Sequence, residues 1–274
     1  MNQKKFEIQM KKNKKLSNEE VKKELMKMLV YLDDFCKKNN IEYSIFYGTL
    51  LGSIRHNGFI PWDDDIDVVM TYDNYMKFKK SFVDNKEYSL FYYGKQKDYF
   101  YPYMKLNNNK TRLFENHTYG IDGYGITLDI FPFVKINQKE CKKINKKVIV
   151  HKKLAYCRFA TIPLDGHENF INKIRKTFFF IISRFYSKKK LCEIAEKQIY
   201  NQTDECNIWY CPCSKTIFNK NIFEKYSMKN FEGSLFKAVY DSDYVLKELY
   251  GDYRKLPPLN KRTSHGVEAY YVNN

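Results

Sequence analysis

Residues 47–70 read YGTLLGSIRHNGFIPWDDDIDVVM, a stretch in which four aspartates run straight into an apolar segment. Asp65 and Asp67 precede Val68, Val69 and Met70, which predicts the start of a buried β-strand. Residues i and i+2 of a strand face the same side, so their Cα atoms would lie roughly 6–7 Å apart. Like charges held that close favour protonation of one carboxyl unless a cation lies between them. We therefore predict a divalent metal bound by Asp65 and Asp67, with phosphate oxygens completing its shell, rather than a solvated acidic turn.

The residues upstream of the aspartates predict an anion site next to the metal. Residues 41–47 alternate as in a strand, and residues 50–56 are typical of a short helix closed by Asn57 and Gly58. A strand, a glycine turn and a helix in succession point free backbone N–H groups at an anion. Gly48 and Thr49 form that turn, and the planar guanidinium of Arg55 could reach the same anion.

A further carboxylate, Asp129, is embedded in an apolar strand predicted over residues 126–132. It has no sequence neighbour of opposite sign, and an unpaired buried carboxylate would be costly. Either a basic residue from elsewhere pairs with it, or it faces the same metal site. Because perturbed carboxylates concentrate at functional sites, the second interpretation is favoured, with Asp129 as the general base.

The remaining pattern predicts an α/β chain of the α+β type. Ser17 and Glu20 form a capping box that begins a helix reaching about Lys38. Asp73 is predicted to cap the next helix. Further helices are predicted over 74–83, 138–160, 168–186, 188–202 and 241–250, the last ended by Gly251, and strands over 88–93, 101–106, 209–210 and 222–223, with 111–114 as a hairpin partner. The predicted organisation is a flexible basic tail (1–16), a core that holds the acidic stretch (17–135) and a mainly helical basic region (136–274).

The net charge of +16 is concentrated in residues 135–190, which hold 13 Lys and 3 Arg against three acidic residues. Such a stretch suits solvated helix faces, an anionic membrane surface, a phosphate-rich acceptor or nucleic acid, and charge alone does not choose among them. The most apolar piece, TFFFII at 177–182, is far shorter than the ~20 residues that span a bilayer and predicts a buried or interfacial helix segment.

The seven scattered cysteines and the lack of a signal-peptide pattern favour a reducing cytosol. Cys206, Cys211 and Cys213 lack a fourth ligand at a recognisable spacing, so the sequence leaves a zinc site there undecided. We expect a cytoplasmic protein. A peripheral contact with the inner face of the membrane would be compatible with that location.

The motifs also resemble a known family. The chain closely resembles the LicD family in five segments: GTLLGSIR (48–55), GFIPWDDDID (58–67), LDIFP (128–132), FEG (231–233) and YGDY (250–253). It also resembles the family at six single residues: Lys105, Thr111, Pro257, Pro258, Arg262 and His265. The matches run in the family's order from about residue 28 to 265. The basic region 135–190 matches least well and is the natural place for acceptor specificity.

The resemblance implies a nucleotidyltransferase-like fold, a mixed β-sheet flanked by helices, and a phosphotransferase activity. Members move a phosphorylated alcohol, such as phosphocholine or ribitol phosphate, from a CDP-activated donor to a surface glycan or its lipid-linked precursor, as in lipopolysaccharide, capsule or teichoic acid modification, and release CMP. The fukutin-related ribitol-phosphate transferases are similar at a greater distance.

The same resemblance implies roles for individual residues. Asp65 and Asp67 would hold Mg²⁺, or Mn²⁺ in its place, with Asp63 as an additional acidic ligand. Asp129 falls at the third carboxylate position. Expected at the substrate are Gly48, Thr49, Arg55, Lys105, Arg262 and His265.

Two other functions compete with this one. A metal-dependent glycosyltransferase also uses an Asp-x-Asp pair, but usually places it after a longer nucleotide-binding unit than the one that precedes Asp65. A basic nucleic-acid-binding protein is suggested by the charge alone and is disfavoured.

Overall fold

The structure, a computed structural model, describes residues 13–96, 99, 101–114, 121–140, 170–187, 190–191, 207–219, 221–262, 264 and 268–272, with isolated helical positions between 144 and 154. Its helices are α1 (Asn18–Lys38), α2 (Tyr47–His56), α3 (Tyr72–Ser81), α4 (Phe170–Arg184) and α5 (Ser242–Tyr250). Its strands are β1 (Ser44–Ile45), β2 (Asp67–Thr71), β3 (Tyr88–Phe91), β4 (Met104–Asn108), β5 (Thr111–Phe114), β6 (Thr127–Ile136), β7 (Ile208–Cys211), β8 (Thr216–Phe218), β9 (Tyr226–Phe231), β10 (Ser234–Val239) and β11 (Glu268–Tyr271). The predicted α/β class is confirmed.

The core is a curled mixed sheet with the strand order β1-β2-β6-β4-β3. Strands β2 and β6 run parallel, and the other neighbours are antiparallel. The second half of β6 continues past this sheet and pairs with β7, which pairs in turn with β8. Because β6 lies between β2 and β4, its residues connect the acidic stretch to the middle of the chain.

Helix α1 covers the sheet and begins as the sequence predicts. The Ser17 side chain accepts from the backbone N–H of Glu20, and the Glu20 side chain accepts from the backbone N–H of Ser17, which completes the capping box. Val21, Leu25 and Met28 belong to the face that the helix buries. Asn39 ends the helix, as the sequence predicted.

The chain before the aspartates departs from the prediction. Only Ser44–Ile45 is a strand, and α2 begins at Tyr47 rather than at residue 50. Phe46 is fully buried and its N–H donates to the carbonyl of Asp67, while Tyr47 turns the chain with a left-handed φ of 44°. Tertiary packing around Phe46 therefore starts the helix one turn early. The end of α2 at Asn57, in the left-handed conformation, agrees with the prediction.

Three further predictions need correction. Helix α3 has Thr71 as its N-cap, and Asp73 lies inside the first turn, where its negative charge favours the helix N-terminus. Strand β5 does not form a hairpin with β4 but pairs with β11. Residues 222–223 are not a strand; the unpredicted strands β8, β9 and β10 flank that segment instead.

The C-terminal elements close the structure around α2. Strands β9 and β10 form a hairpin whose turn places Glu232 and Gly233 at left-handed φ values of 50° and 78°. Both β9 and α5 pack against α2. Helix α5 is ended by Gly251, as predicted, whereas Asp241 is its N-cap rather than its first helical residue.

The basic region is described in part. Helix α4 lies within the helix predicted over 168–186, whereas most of the helices predicted over 138–160 and 188–202 lies outside the described residues. The five strands β7–β11 accompany α4 and α5 beyond residue 136, and the sequence predicted few of them. Among the helices that the structure describes, none is long and apolar enough to cross a membrane.

Candidate active site

Three strands of the sheet bring Asp67, Asp129 and Lys105 side by side. Asp67 of β2 is in register with Asp129 of β6, and Asp129 is in register with Lys105 of β4. The Lys105 ammonium lies 2.7 Å from Oδ1 and 3.0 Å from Oδ2 of Asp129. The side chains of Lys105 and Asp129 are only 7% and 16% exposed, so this ion pair is largely removed from water.

The first interpretation of Asp129 is confirmed, and the second, that it faces a metal site, stays a prediction. A basic residue from elsewhere in the chain does pair with it, the alternative that the sequence disfavoured. Asp129 also lies beside Asp67, the neighbour expected of a shared acidic centre. Lys105, expected at the substrate, instead uses its ammonium on the Asp129 carboxylate.

The Asp67 carboxyl lies where negative charge accumulates. Burial raises its pKa well above the usual value, and the charges of Asp65, Asp129 and Asp63 raise it further, while Lys105 opposes them. A cation placed among these carboxylates would remove the repulsion that raises this pKa.

The spacing argument for Asp65 is wrong in its geometry. Strand β2 begins at Asp67, so Asp65 belongs to the preceding loop and does not share a strand face with it. Asp65 is nevertheless close enough to raise the pKa of Asp67. The partner that register places beside Asp67 is Asp129, which no sequence spacing could reveal.

Helix α2 positions the acidic loop through Gly48 and Thr49. A Cβ at Gly48 would lie 2.5 Å from Oδ2 of Asp63, so glycine gives that carboxylate room. The Thr49 hydroxyl accepts from the N–H of Asp67 at 2.9 Å and is buried. Both residues were predicted at a donor phosphate, and the structure places them against the aspartates.

Two arginines approach each other on the other side of the aspartates. Burial lowers the pKa of Arg55, and the nearby charge of Arg262 lowers it further. Arg55 donates to the carbonyl of Tyr253 at 2.7 Å, and Arg262 lies over the Trp62 ring at 5.2 Å. Two adjacent guanidinium groups repel each other and favour a bound anion.

Tyr250 links the arginines to the carboxylates. Burial raises its pKa, and so do the charges of Asp67, Asp63 and Asp65, in that order, while Arg55 lowers it. Tyr250 is therefore near both groups. Only the position of Tyr250 in the YGDY motif hinted at this contact.

Aromatic rings surround the Lys105 ammonium. It lies 4.5 Å from the ring centroid of Tyr101, 5.5 Å from that of Tyr103 and 6.0 Å from that of Tyr124. Each ring face attracts the cation, which helps to keep a charged lysine away from water. Of these groups, only Lys105 had been predicted at the site.

Glu232, at the turn between β9 and β10, holds the loop that leads to the aspartates. Its Oε1 accepts from the N–H of Phe59 at 2.9 Å, and its own N–H donates to the carbonyl of Asn57 at 3.0 Å. A Cβ at Gly58 would fall 2.0 Å from the same Oε1, so only glycine fits beneath the carboxylate. The FEG segment (231–233) and the NGF segment (57–59) thus hold each other in place through these two hydrogen bonds, and we call this contact the brace.

We expect Glu232→Ala to cost about 0.5–1.5 kcal/mol of unfolding free energy, because the N–H of Phe59 loses its side-chain acceptor. The acidic loop should lose its fixed position, so any activity of the site should fall with it. Glu232→Gln keeps Oε1 and is the matched control. Urea unfolding measures the difference, and equal stability of the Ala and Gln variants would contradict the brace.

Comparison with known proteins places the chain among similar sequences. A family model described as the LicD/FKTN/FKRP nucleotidyltransferase domain matches residues 40–169. The lipopolysaccharide cholinephosphotransferase LicD of Haemophilus influenzae is 29% identical over 271 residues, covering 94% of this chain and 99% of that protein. The chain is similar to the LicD family over nearly its whole length.

Other relatives match shorter stretches. The uncharacterized protein RT0683 of Rickettsia typhi is 27% identical over 168 residues, 53% of this chain and 51% of that protein. The uncharacterized protein RP689 of Rickettsia prowazekii is 40% identical over 68 residues, 22% of this chain and 26% of that protein. The LicD family match includes the acidic loop, Lys105 and Asp129, whereas Glu232, Tyr250 and Arg262 lie beyond residue 169.

The domain supplies carboxylate oxygens that could bind a metal, but its described residues do not form a complete metal site. Within the described ranges no three His, Cys, Asp or Glu side chains are arranged as a metal site. Carboxylates are the ligands that Mg²⁺ prefers, and this ion commonly uses one or two of them together with substrate phosphates. Asp65 and Asp67, with the charge of Asp63 nearby, could supply the one or two carboxylates that this mode of binding needs.

Two sequence predictions cannot be placed. His265 lies outside the described residues, and so does Cys206. Cys211 and Cys213 are buried, and the Cys213 thiol donates to the carbonyl of Pro102 at 3.2 Å.

Proposed function

We propose that this chain is a divalent-metal-dependent phosphotransferase. It would move phosphocholine, or a similar phosphorylated alcohol such as ribitol phosphate, from a CDP-activated donor to a surface glycan or its lipid-linked precursor, and release CMP. The observation that carries the proposal is the register of Asp67 with Asp129 on parallel strands, beside a pair of arginines. The similar Haemophilus protein is named as a lipopolysaccharide cholinephosphotransferase, and this supports the choice of substrates.

Mg²⁺, or Mn²⁺, would be held by Asp65 and Asp67 with Asp63 beside them. When bound, the ion would neutralise charge on the transferring phosphoryl group. The raised pKa of Asp67 supports this assignment, because the residue lies among like charges that a cation would relieve.

Arg55 and Arg262 would bind the donor phosphates. Their guanidinium groups present several N–H donors to phosphate oxygens, and their mutual repulsion in the free protein would be offset by the anion. The carbonyl of Tyr253 orients Arg55, and that of Pro257 accepts from Nε of Arg262 at 2.9 Å.

Asp129 would accept the proton of the acceptor hydroxyl as that oxygen attacks phosphorus. The Lys105 ammonium keeps the Asp129 carboxylate fixed against β4. Each carboxylate oxygen has two lone pairs, so Asp129 can accept a proton while Lys105 keeps its place, and Lys105 acts here as a positioning residue.

We expect Arg55→Lys and Arg262→Lys each to raise KM for the donor with a smaller effect on kcat. The rise should be roughly ten- to a hundredfold, since hydrogen bonds to charged groups contribute about 1.5–3 kcal/mol. Arg254→Lys is the matched control, because Arg254 is 78% exposed and pairs with Asp243. Steady-state kinetics with varied donor would decide, and an unchanged donor KM in both variants would remove the arginines from the site.

A donor panel tests the function itself. The protein is incubated with CDP-choline, CDP-ribitol or a UDP-sugar, each with Mg²⁺ and a lipopolysaccharide acceptor, and the nucleotide released is identified. We expect CMP from one of the CDP-alcohols. Turnover of the UDP-sugar alone would show a glycosyltransferase and refute the proposal.

A further inference from the structure

Helix α4 carries an unusual stripe of exposed apolar side chains. Ile174, Phe178 and Ile181 are 55%, 58% and 54% exposed, and Phe185 just beyond the helix is 83% exposed. Their spacing of four, three and four residues places the three helical members within an arc of about 60° at 3.6 residues per turn. Contiguous exposed apolar surface of this kind marks an interaction site.

The opposite side of α4 is the side that the protein buries. Ser183 is fully buried and donates to the carbonyl of Phe180 at 2.7 Å. Helical geometry places Ser183 roughly opposite the stripe. The guanidinium of Arg184 lies over the Phe180 ring at 4.1 Å, on the flank between these two sides. The stripe therefore faces away from the protein.

The charged residues in the sequence of α4 and its immediate neighbours are all of one sign. Between residues 169 and 192 the sequence has no Asp or Glu, and its cationic residues are Lys173, Arg175, Lys176, Arg184, Lys188, Lys189 and Lys190. A second copy docking through this face would bring two such sets of like charges together. An anionic surface would instead be attracted to them.

We propose that α4 lies in the interface of an anionic lipid bilayer, with Ile174, Phe178, Ile181 and Phe185 inserted among the acyl chains. At 15 residues the helix is about 22 Å long, too short to span the ~30 Å hydrocarbon core and suited to lying in its plane. Apolar insertion and attraction to lipid phosphates together give stable peripheral binding. This inference goes beyond the proposed transferase function and does not depend on it.

Vesicle binding tests the proposal without any substrate. The whole protein is sedimented with vesicles of pure phosphatidylcholine or of equal parts phosphatidylcholine and phosphatidylglycerol. We expect binding to the anionic vesicles that weakens in high salt, and little binding to the neutral ones. The double variant Phe178→Ser/Phe185→Ser should lose about tenfold or more in partitioning, and Arg175→Gln/Arg184→Gln should lose most of its preference for anionic lipid.

A matched control distinguishes binding through this face of α4 from nonspecific binding by other exposed apolar side chains. Val83 and Leu235 are 77% and 60% exposed but lie outside α4, so Val83→Ser/Leu235→Ser should bind vesicles like the wild type. Circular dichroism verifies that each variant is folded. Equal binding by the Phe178→Ser/Phe185→Ser variant, or no binding by the wild type, would overturn the proposal. A dimer that dissociates only in that variant, without vesicle binding, would show that a second copy covers the stripe.

Discussion

Asp67→Asn is expected to lower kcat for phosphoryl transfer by about a thousandfold or more, because a lost metal ligand removes several kcal/mol of transition-state stabilisation. CMP release from the CDP-alcohol donor under saturating Mg²⁺ measures this loss. Asp34→Asn, at an exposed aspartate of α1, is the control and should keep the wild-type rate. A fully active Asp67→Asn enzyme would contradict the role given to Asp67.

The same substitution should have an opposite effect on stability. The pKa of Asp67 is raised in the fold, so stability falls as pH rises from the ordinary value of 3.8 through the raised folded value. At neutral pH the metal-free wild type therefore carries a repulsion that asparagine lacks. We expect metal-free Asp67→Asn to have a higher Tm than metal-free wild type, and to gain less from added Mg²⁺.

Thermal unfolding with and without Mg²⁺ measures both effects. The prediction fails if the metal-free variant is less stable than the wild type at neutral pH, or if Mg²⁺ stabilises both equally. An inactive variant that is also destabilised would indicate a damaged fold rather than a lost ligand.

Lys105→Met should destabilise the protein by about 3–5 kcal/mol, the cost of leaving one charge of a buried pair without its partner. The Asp129 carboxylate would then lie beside Asp67 without its cationic partner on β4. Adding Asp129→Asn to Lys105→Met should restore most of the stability, because the stranded charge is removed. It should not restore transfer, since the proposed base is also removed.

Lys110→Met supplies the control for the Lys105 variant. Lys110 pairs with Glu87, and both side chains are about half exposed, at 51% and 54%. An exposed pair of this kind contributes at most about 1 kcal/mol. Denaturant unfolding of the three variants decides the matter, and equal costs for Lys105→Met and Lys110→Met would show that the Asp129 pair is not effectively buried.

The sequence predicted the acidic centre because aspartates occur in two segments that otherwise have the pattern of buried strands. Aspartates ran into a buried strand at Asp67 and interrupted another at Asp129. Such conflicts between charge and burial are visible without any knowledge of pairing. The capping box of α1 was equally local, since both of its partners lie within four residues.

The partners of those aspartates were not predictable, because they depend on strand pairing over long separations. Lys105 and Asp129 meet only because β4 pairs with β6 in one particular register. Asp65 failed the strand rule because β2 begins two residues later. Strand pairing in the sheet determines how the acidic residues are arranged, whereas the residue types themselves are visible in the sequence.

The contribution of the C-terminal third was also missed. Glu232 and Tyr250 reach the acidic loop from β9–β10 and α5, far along the chain. The two-residue turn at Glu232 and Gly233 is a hairpin signal that could have been recognised, since a Gly at its second position suits a left-handed turn. The sequence of the hairpin does not show that Glu232 holds the loop before the aspartates in place.

The most direct test of the central claim follows the phosphate next to choline. CDP-choline radiolabelled in that phosphate is incubated with the wild-type protein, Mg²⁺ and lipopolysaccharide, and the glycan and nucleotide fractions are separated. Transfer of phosphocholine predicts label in the glycan, unlabelled CMP, and neither product with Asp67→Asn. Label retained in a released nucleotide, or equal labelling of the glycan by Asp67→Asn, would contradict phosphoryl transfer at this centre.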